Sequence, residues 1–268
     1  PRKKCKKNNC ERLVHKFWRV SIRKILIDKE IIMKKFINSI KLAALLIILS
    51  STSVFADLSD ILKSGTVKIA VPEAFAPFGS VGKSGKHEGY DVDVAKLLAK
   101  DLGVKLELVP VVSKQRIPFL ETNRVDLVIS TMGANPKRAK SINFSSAYAP
   151  FFSGAFAAAS LKISGPSDLD GLTIGVTSGT LEDLELTKSA PKGAKITRFG
   201  DNAATLSAFT SGQVQGLVAG NTAAASLSEA DPNLDIKTKY IIKESPCFIG
   251  IKKGNEDLLR WVNVFILH

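Results

Sequence analysis

Cysteine is nearly absent from this chain, with three residues at positions 5, 10 and 247. Cys5 and Cys10 have a spacing that matches no metal motif. Cys247 is alone beyond them, so no intramolecular disulfide can staple the globular part, and no metal site is expected. Histidine is as sparse: beyond residue 56 there are only His87 and the terminal His268. No Ser/His/Asp or Cys/His grouping stands out, which counts against nucleophilic catalysis and leaves no catalytic residue to name. Long apolar runs are missing too. The unbroken stretch Leu42–Leu49 has eight residues, far short of the roughly 20 that cross a bilayer. There are no low-complexity tracts and no short internal repeat.

What is present is positive charge, +13 in all over 268 residues. Such a surplus ordinarily points to nucleic acid or anionic membranes, but its distribution says otherwise. Residues 1–32 hold 11 Lys/Arg against 3 Asp/Glu, and residues 33–56 add 3 Lys and no acid. Residues 57–268 carry 24 Lys/Arg against 22 Asp/Glu. The globular part is near neutral, and no nucleic-acid partner is expected.

Met33–Ala56 reads MKKFINSIKLAALLIILSSTSVFA. Lys34, Lys35 and Lys41 form a positive start, the apolar run follows, and Val54 and Ala56 occupy the −3 and −1 positions of a cut before Asp57. This three-part pattern predicts a cleaved secretory signal. No cysteine follows the run, so lipid attachment is not indicated, and a freely soluble product is expected in a Gram-negative periplasm. Residues 1–32 are then expected to be a non-native upstream extension, because a secretion signal does not work 32 residues in; the competing reading is a basic nucleic-acid-binding arm.

From Val67 onward short apolar strands alternate with amphipathic helices, the pattern of an α/β fold. Strands are expected at Val67–Val71, Lys105–Val109 and Val125–Ser130. A helix capped by Asp91 is expected to bury Val94, Leu97, Leu98 and Leu102 and to end at Gly103. A further helix is expected over Gln115–Glu121, and a short basic one from Pro136. A second series begins after Ala155, with strands at Leu172–Val176, Ala194–Phe199, Val214–Ala219 and Asp235–Ile242, and helices at Leu181–Leu186, Ala203–Ser211 and Asn221–Ser228. Two lobes follow: 57–152, then 153–247, with 248–268 returning to the first through the strand Phe248–Lys252.

Three strand ends carry the candidate chemistry, since open α/β sheets bind ligands beyond the carboxyl ends of their strands. After the first strand, Glu73, Phe75 and Phe78 offer a carboxylate and two aromatic faces; each is also compatible with solvent or core. After Val125–Ser130, a turn bears Ser130, Thr131 and Gly133 and leads to Arg138, whose planar guanidinium matches a carboxylate with two parallel hydrogen bonds. After Leu172–Val176, Ser178, Gly179 and Thr180 open a helix whose N-terminal amides favour an anion. The Lys-Ser/Thr ending of a phosphate loop is absent.

The first-strand loop ending APF, GYDVDVAKLLAKDLG, VDLVIS with its following Arg, GLTIGVTSGT and SGQVQGLVAGNTAA occur in one order over most of residues 58–264. In this the chain resembles the ABC-transporter solute-binding proteins for polar amino acids. The resemblance implies a two-lobed periplasmic-binding-protein fold (type II), each lobe a mainly parallel sheet flanked by helices, with two hinge crossings. It implies capture of a free amino acid by lobe closure and delivery to a membrane permease and its ATPase, by a monomer without a cofactor. Phe75 would stack over the ligand, and Thr131, Gly133, Arg138 and the Gly179 and Thr180 amides would hold its carboxylate. Many members place an Asp after the strand matching Val214–Ala219 to bind the ammonium. Here that place reads Gly220-Asn221, so Asn221 is the candidate there, without a charge. The family also continues past His268, so a last helix on the first lobe is expected to be missing. The alternative is an enzyme on the same fold, a cyclohexadienyl dehydratase-like lyase, for which Glu73 is the one carboxylate expected in the cleft. Cys247 is expected to be a buried small hydrophobe.

Overall fold

In this computed structural model, residues 57–268 are described, Pro232 excepted. The expected upstream extension and signal segment lie outside them. The chain opens with helix α1 (Leu58–Ser64), closed at its start by Asp57, whose side chain accepts from the Leu58 amide. Strand β1 (Thr66–Pro72) follows. Its Val67, Ile69, Ala70 and Val71 are buried, because a central parallel strand is covered on both faces. A small hairpin of β2 (Ser80–Val81) and β3 (His87–Glu88) leads into helix α2 (Tyr90–Leu102). Then come β4 (Lys105–Val111), a 3-10 turn at Ser113–Gln115, the short helix α3 (Arg116–Glu121) and β5 (Leu127–Gly133), every residue of which is buried. Strand β6 (Ile142–Ala149) ends this first series.

Strand β7 (Phe152–Ala158) begins a second sheet. It is followed by β8 (Thr173–Thr177), α4 (Leu181–Ser189), β9 (Lys195–Phe199), α5 (Asn202–Thr210), β10 (Gly216–Gly220), α6 (Thr222–Ala230) and β11 (Ile236–Glu244). Strand β12 (Cys247–Lys252) and helix α7 (Glu256–Leu267) return to the first.

The first sheet has the order β4-β1-β5-β12-β6 and the second β11-β7-β10-β8-β9. This is the two-lobed α/β architecture expected, with two crossings, β6 to β7 and β11 to β12. Parallel pairing is confined to β4-β1-β5 and to β10-β8-β9; β12 pairs antiparallel with β5 and β6, and β7 antiparallel with β10 and β11. Each lobe is thus a mixed sheet, because the strands beside the crossings enter from the other lobe. Ile61, Ile69, Leu98, Leu127, Ile249 and Val262 pack on one face of the first sheet, and Leu120, Val128, Met132 and Ile142 on the other. Leu169, Ile174, Leu186 and Val218 fill one side of the second sheet, and Phe156, Phe209 and Leu217 the other.

Two expectations are corrected in ways that matter for the cleft. Helix α2 is preceded by Gly89, not capped by Asp91, and it buries Val92, Ala95, Leu98, Ala99 and Leu102, while Leu97 is exposed. Asp91 therefore falls on the inward face. The basic helix after Pro136 is a single 3-10 turn, Arg138–Lys140.

Candidate functional site

A small cavity lies between the two sheets' strand ends, lined from the first lobe by Phe75, Arg116 and Thr131 and from the second by Thr177, Thr180, Glu182, Asn202 and Val218–Gly220, with Phe151 of the crossing segment beside them. The cleft is closed: Arg138 reaches across to the Gly179 carbonyl, and Ser226 Oγ donates to Ala76 O.

Arg116 is the central cation. It opens α3 one turn before buried Leu120, so its side chain follows the core-facing stripe inward and is 6% exposed. Its Nε donates to Ser130 Oγ at 3.2 Å. Burial lowers its affinity for the proton, opposed by the nearby Glu182 and Asp91 carboxylates. A guanidinium at such a site stays charged, so the cavity wall presents planar, charge-bearing donors suited to a carboxylate.

Behind it sits a buried network. Asp91, fully buried, accepts from Tyr148 Oη at 2.7 Å and from the Thr131 amide at 2.8 Å. Burial lifts its carboxyl to about 7, against those bonds and the charge of Arg116. Burial, together with the Asp91 charge, pushes the Tyr148 phenol well above its usual range. The amide bond to Asp91 helps hold Thr131 at φ 41, a left-handed conformation that a β-branched residue rarely adopts. The strain turns Thr131 into the cavity, where its hydroxyl is buried without a hydrogen-bond partner among the described residues.

Glu182 stands opposite, in the first turn of α4 and 9% exposed, its Oε1 accepting from Ser153 Oγ at 2.9 Å. The aromatic wall is Phe75 with Phe78 behind it (ring centroids 5.3 Å apart) and Phe151 beyond (5.8 Å from Phe78). The Phe151 ring lies so close to Gly220 that any side chain there would overlap it.

Of the residues singled out in the sequence, Phe75, Thr131 and Thr180 meet at the cavity; the others lie elsewhere. Phe78 packs behind Phe75. Ser130 holds Arg116 rather than facing the cavity. Gly133 packs against Leu181 and Ser245. Glu73 is exposed and borders a smaller neighbouring recess. Arg138 donates from Nη1 to Gly133 O at 2.7 Å and from Nη2 to Gly179 O at 2.9 Å, and so ties the lobes together beside a separate recess with Met132. Its pKa is brought down to about 10 by burial and by the positive charge of Arg116.

The amides expected to be free are engaged: Gly179 N donates to Asp183 Oδ2 at 3.0 Å, because Asp183 folds back over the helix start, and Thr180 N donates to Thr177 O. Ser178 is half-buried outside the lining. Asn221 lies next to the cavity-lining Gly220, and its Oδ1 is buried without a partner among the described residues. Arg116, Phe151 and Glu182 were not anticipated. Cys247 is buried as expected, with its thiol pushed up to about 12 by burial, which leaves it protonated and inert.

Residues 67–268 match a family described as bacterial extracellular solute-binding proteins, family 3. The glutamine-binding protein of Geobacillus stearothermophilus is 31% identical over 205 residues, 75% of this chain and 78% of that one. The L-cystine-binding protein of Escherichia coli K12 is 28% identical over 220 residues, 80% and 82% of the two chains. Among solved structures, an ancestral amino acid-binding protein that is a precursor of cyclohexadienyl dehydratase is 32% identical, with a TM-score of 0.70 over 78% of this chain and 91% of that one. Motif order, sheet topology and the interlobe cavity agree with these matches, and the chain belongs to the family 3 bacterial extracellular solute-binding proteins.

Proposed function

We propose that this protein is the periplasmic substrate-binding component of an ABC importer, taking up a free polar amino acid by lobe closure and delivering it to a membrane permease coupled to an ATPase. The observation that carries this reading is the buried Arg116 guanidinium facing a small closed cavity with the unpartnered Thr131 hydroxyl beside it. A carboxylate between them would receive two charge-assisted hydrogen bonds from Arg116 and one from Thr131. Phe75 and Phe151 would cover the ligand's apolar atoms, and Thr180 and Asn202 line the cavity from the second lobe. Arg116 thus takes the place expected of Arg138, which serves closure instead. The relatives named for glutamine and L-cystine support an amino acid as the ligand class.

Catalysis is the weaker reading, although one similar structure is a precursor of a dehydratase. Such chemistry needs a positioned proton donor or acceptor. Glu73 is exposed and Asp91 is spent on Tyr148 and Thr131 behind the cavity wall, which leaves Glu182 as the single carboxylate of the cavity lining and the group a catalytic reading would need. The protein acts as a monomer in the periplasm, released by cleavage after Ala56.

The test is thermal unfolding and calorimetry with a panel of free L-amino acids. One or a few compounds should raise the melting temperature, by mass action on the folded state. Arg116→Ala should abolish that rise, since losing one partner of a desolvated charge pair costs about 2–5 kcal/mol. No stabilisation by any amino acid, together with turnover of a cyclic acid, would reverse the assignment. Mass spectrometry of exported protein should find Asp57 as the first residue; retention of residues 1–32 would contradict the cleavage site.

A further inference from the structure

The cavity holds two opposite charges that do not meet. Arg116 enters from the first lobe and Glu182 from the second, both nearly buried. Among the described residues, Glu182 forms no ion pair with any Lys or Arg. Its single protein hydrogen bond is the one Ser153 Oγ gives to Oε1, which leaves Oε2 for another donor. Arg116 likewise spends only its Nε on the other described residues, at Ser130. Buried charges persist when something complements them, and the occupant that complements both is a small molecule carrying an anion and a cation close together.

The place where an ammonium acceptor was sought, Gly220-Asn221, supplies no charge. Its geometry gives a reason: a side chain at 220 would overlap the Phe151 ring. We propose that Glu182 takes the α-ammonium group of the bound amino acid while Arg116 takes its carboxylate. The assignment rests on the amino-acid-binding reading above and adds to it the partner for the second end of the zwitterion. Because the two charges come from different lobes, a zwitterion would also be the cross-link that favours closure, whereas a simple carboxylic acid would engage only the first lobe's charge.

The test compares each free L-amino acid of the panel with its 2-hydroxy acid, which keeps the carboxylate and side chain and replaces the ammonium. By calorimetry the wild-type protein should prefer the amino acid by on the order of 30-fold or more, the scale of an unpaired buried charge. In Glu182→Gln, whose amide oxygen can still accept from Ser153, that preference should fall to within a few-fold. Arg116→Lys should weaken both compounds together. An intact preference in folded Glu182→Gln would overturn the assignment and leave the amino-acid reading standing. Failure of the wild type to bind any amino acid would remove both. Should the amide variant not fold, Glu182→Ala is read for the same preference.

Discussion

Replacing Arg138 by alanine removes the 2.7 Å bond to Gly133 O and the 2.9 Å bond to Gly179 O. Hydrogen bonds from a charged donor contribute about 1.5–3 kcal/mol each. The bond to Gly133 lies within the first lobe and exists whether the cleft is open or shut. The bond to Gly179 exists only when the lobes meet. Closure should therefore lose about 1.5–3 kcal/mol, and amino-acid affinity should fall by about 10- to 150-fold, chiefly through faster release. Stopped-flow release and calorimetry measure this directly. The decisive comparison pairs the amino acid with its carboxamide. If Arg138 acts on closure, Arg138→Ala weakens both ligands by the same factor; in Arg116→Ala the discrimination between them collapses. Loss of that discrimination in Arg138→Ala, or unchanged release, would refute the placement of Arg138 as a lobe-to-lobe tie.

Other outcomes follow from the buried network and the aromatic wall. Asp91 has a folded pKa of about 7 against an ordinary 3.8, so the folded state binds its proton more tightly than the unfolded chain. Its contribution is fully present below about pH 4 and is lost as pH rises through about 7, with a slope of at most about 1.4 kcal/mol per pH unit. Asp91→Asn should flatten that fall in denaturant titrations between pH 4 and 7; an unchanged slope would place the titration elsewhere. Gly220→Ala should drive the Phe151 ring toward the cavity at a cost of about 1–3 kcal/mol, seen as weaker ligand binding, with Phe151→Ala in the same chain restoring part of it.

The architecture was legible because periodicity reports burial. Leu127–Ile129 reads as a strand covered on both faces, and the SGT turn at 178–180 announces the start of α4. The site was legible only in outline, since the residues that matter are charges whose direction the backbone decides. Arg116 passed as a helix residue and Asp91 as a cap, while Glu182 at the start of α4 drew no reading.

One signal was available for all three. Arg116 and Glu182 each lie four residues before a buried leucine, Leu120 and Leu186, and Asp91 lies seven before buried Leu98. A charge on the apolar stripe of a helix is the informative exception to burial statistics. The contacts of Arg138 have a different origin. The carbonyls it donates to come from Gly133 close by and from Gly179, 41 residues further along the chain, and no local pattern registers such a partner.

The strand order β4-β1-β5-β12-β6 also has a temporal meaning. Strand β6 joins its sheet only through β12, which arrives about a hundred residues later in the chain. The second sheet, by contrast, is made from one continuous stretch and can assemble as soon as β11 is present. A chain emerging from its N-terminus cannot complete its first lobe until nearly all of it has been delivered, and until then β5 and β6 each keep an open edge. Contacts this distant in sequence close slowly. While the chain is being delivered from its N-terminus, a first lobe that waits for its last strand stays pliable after the second has consolidated.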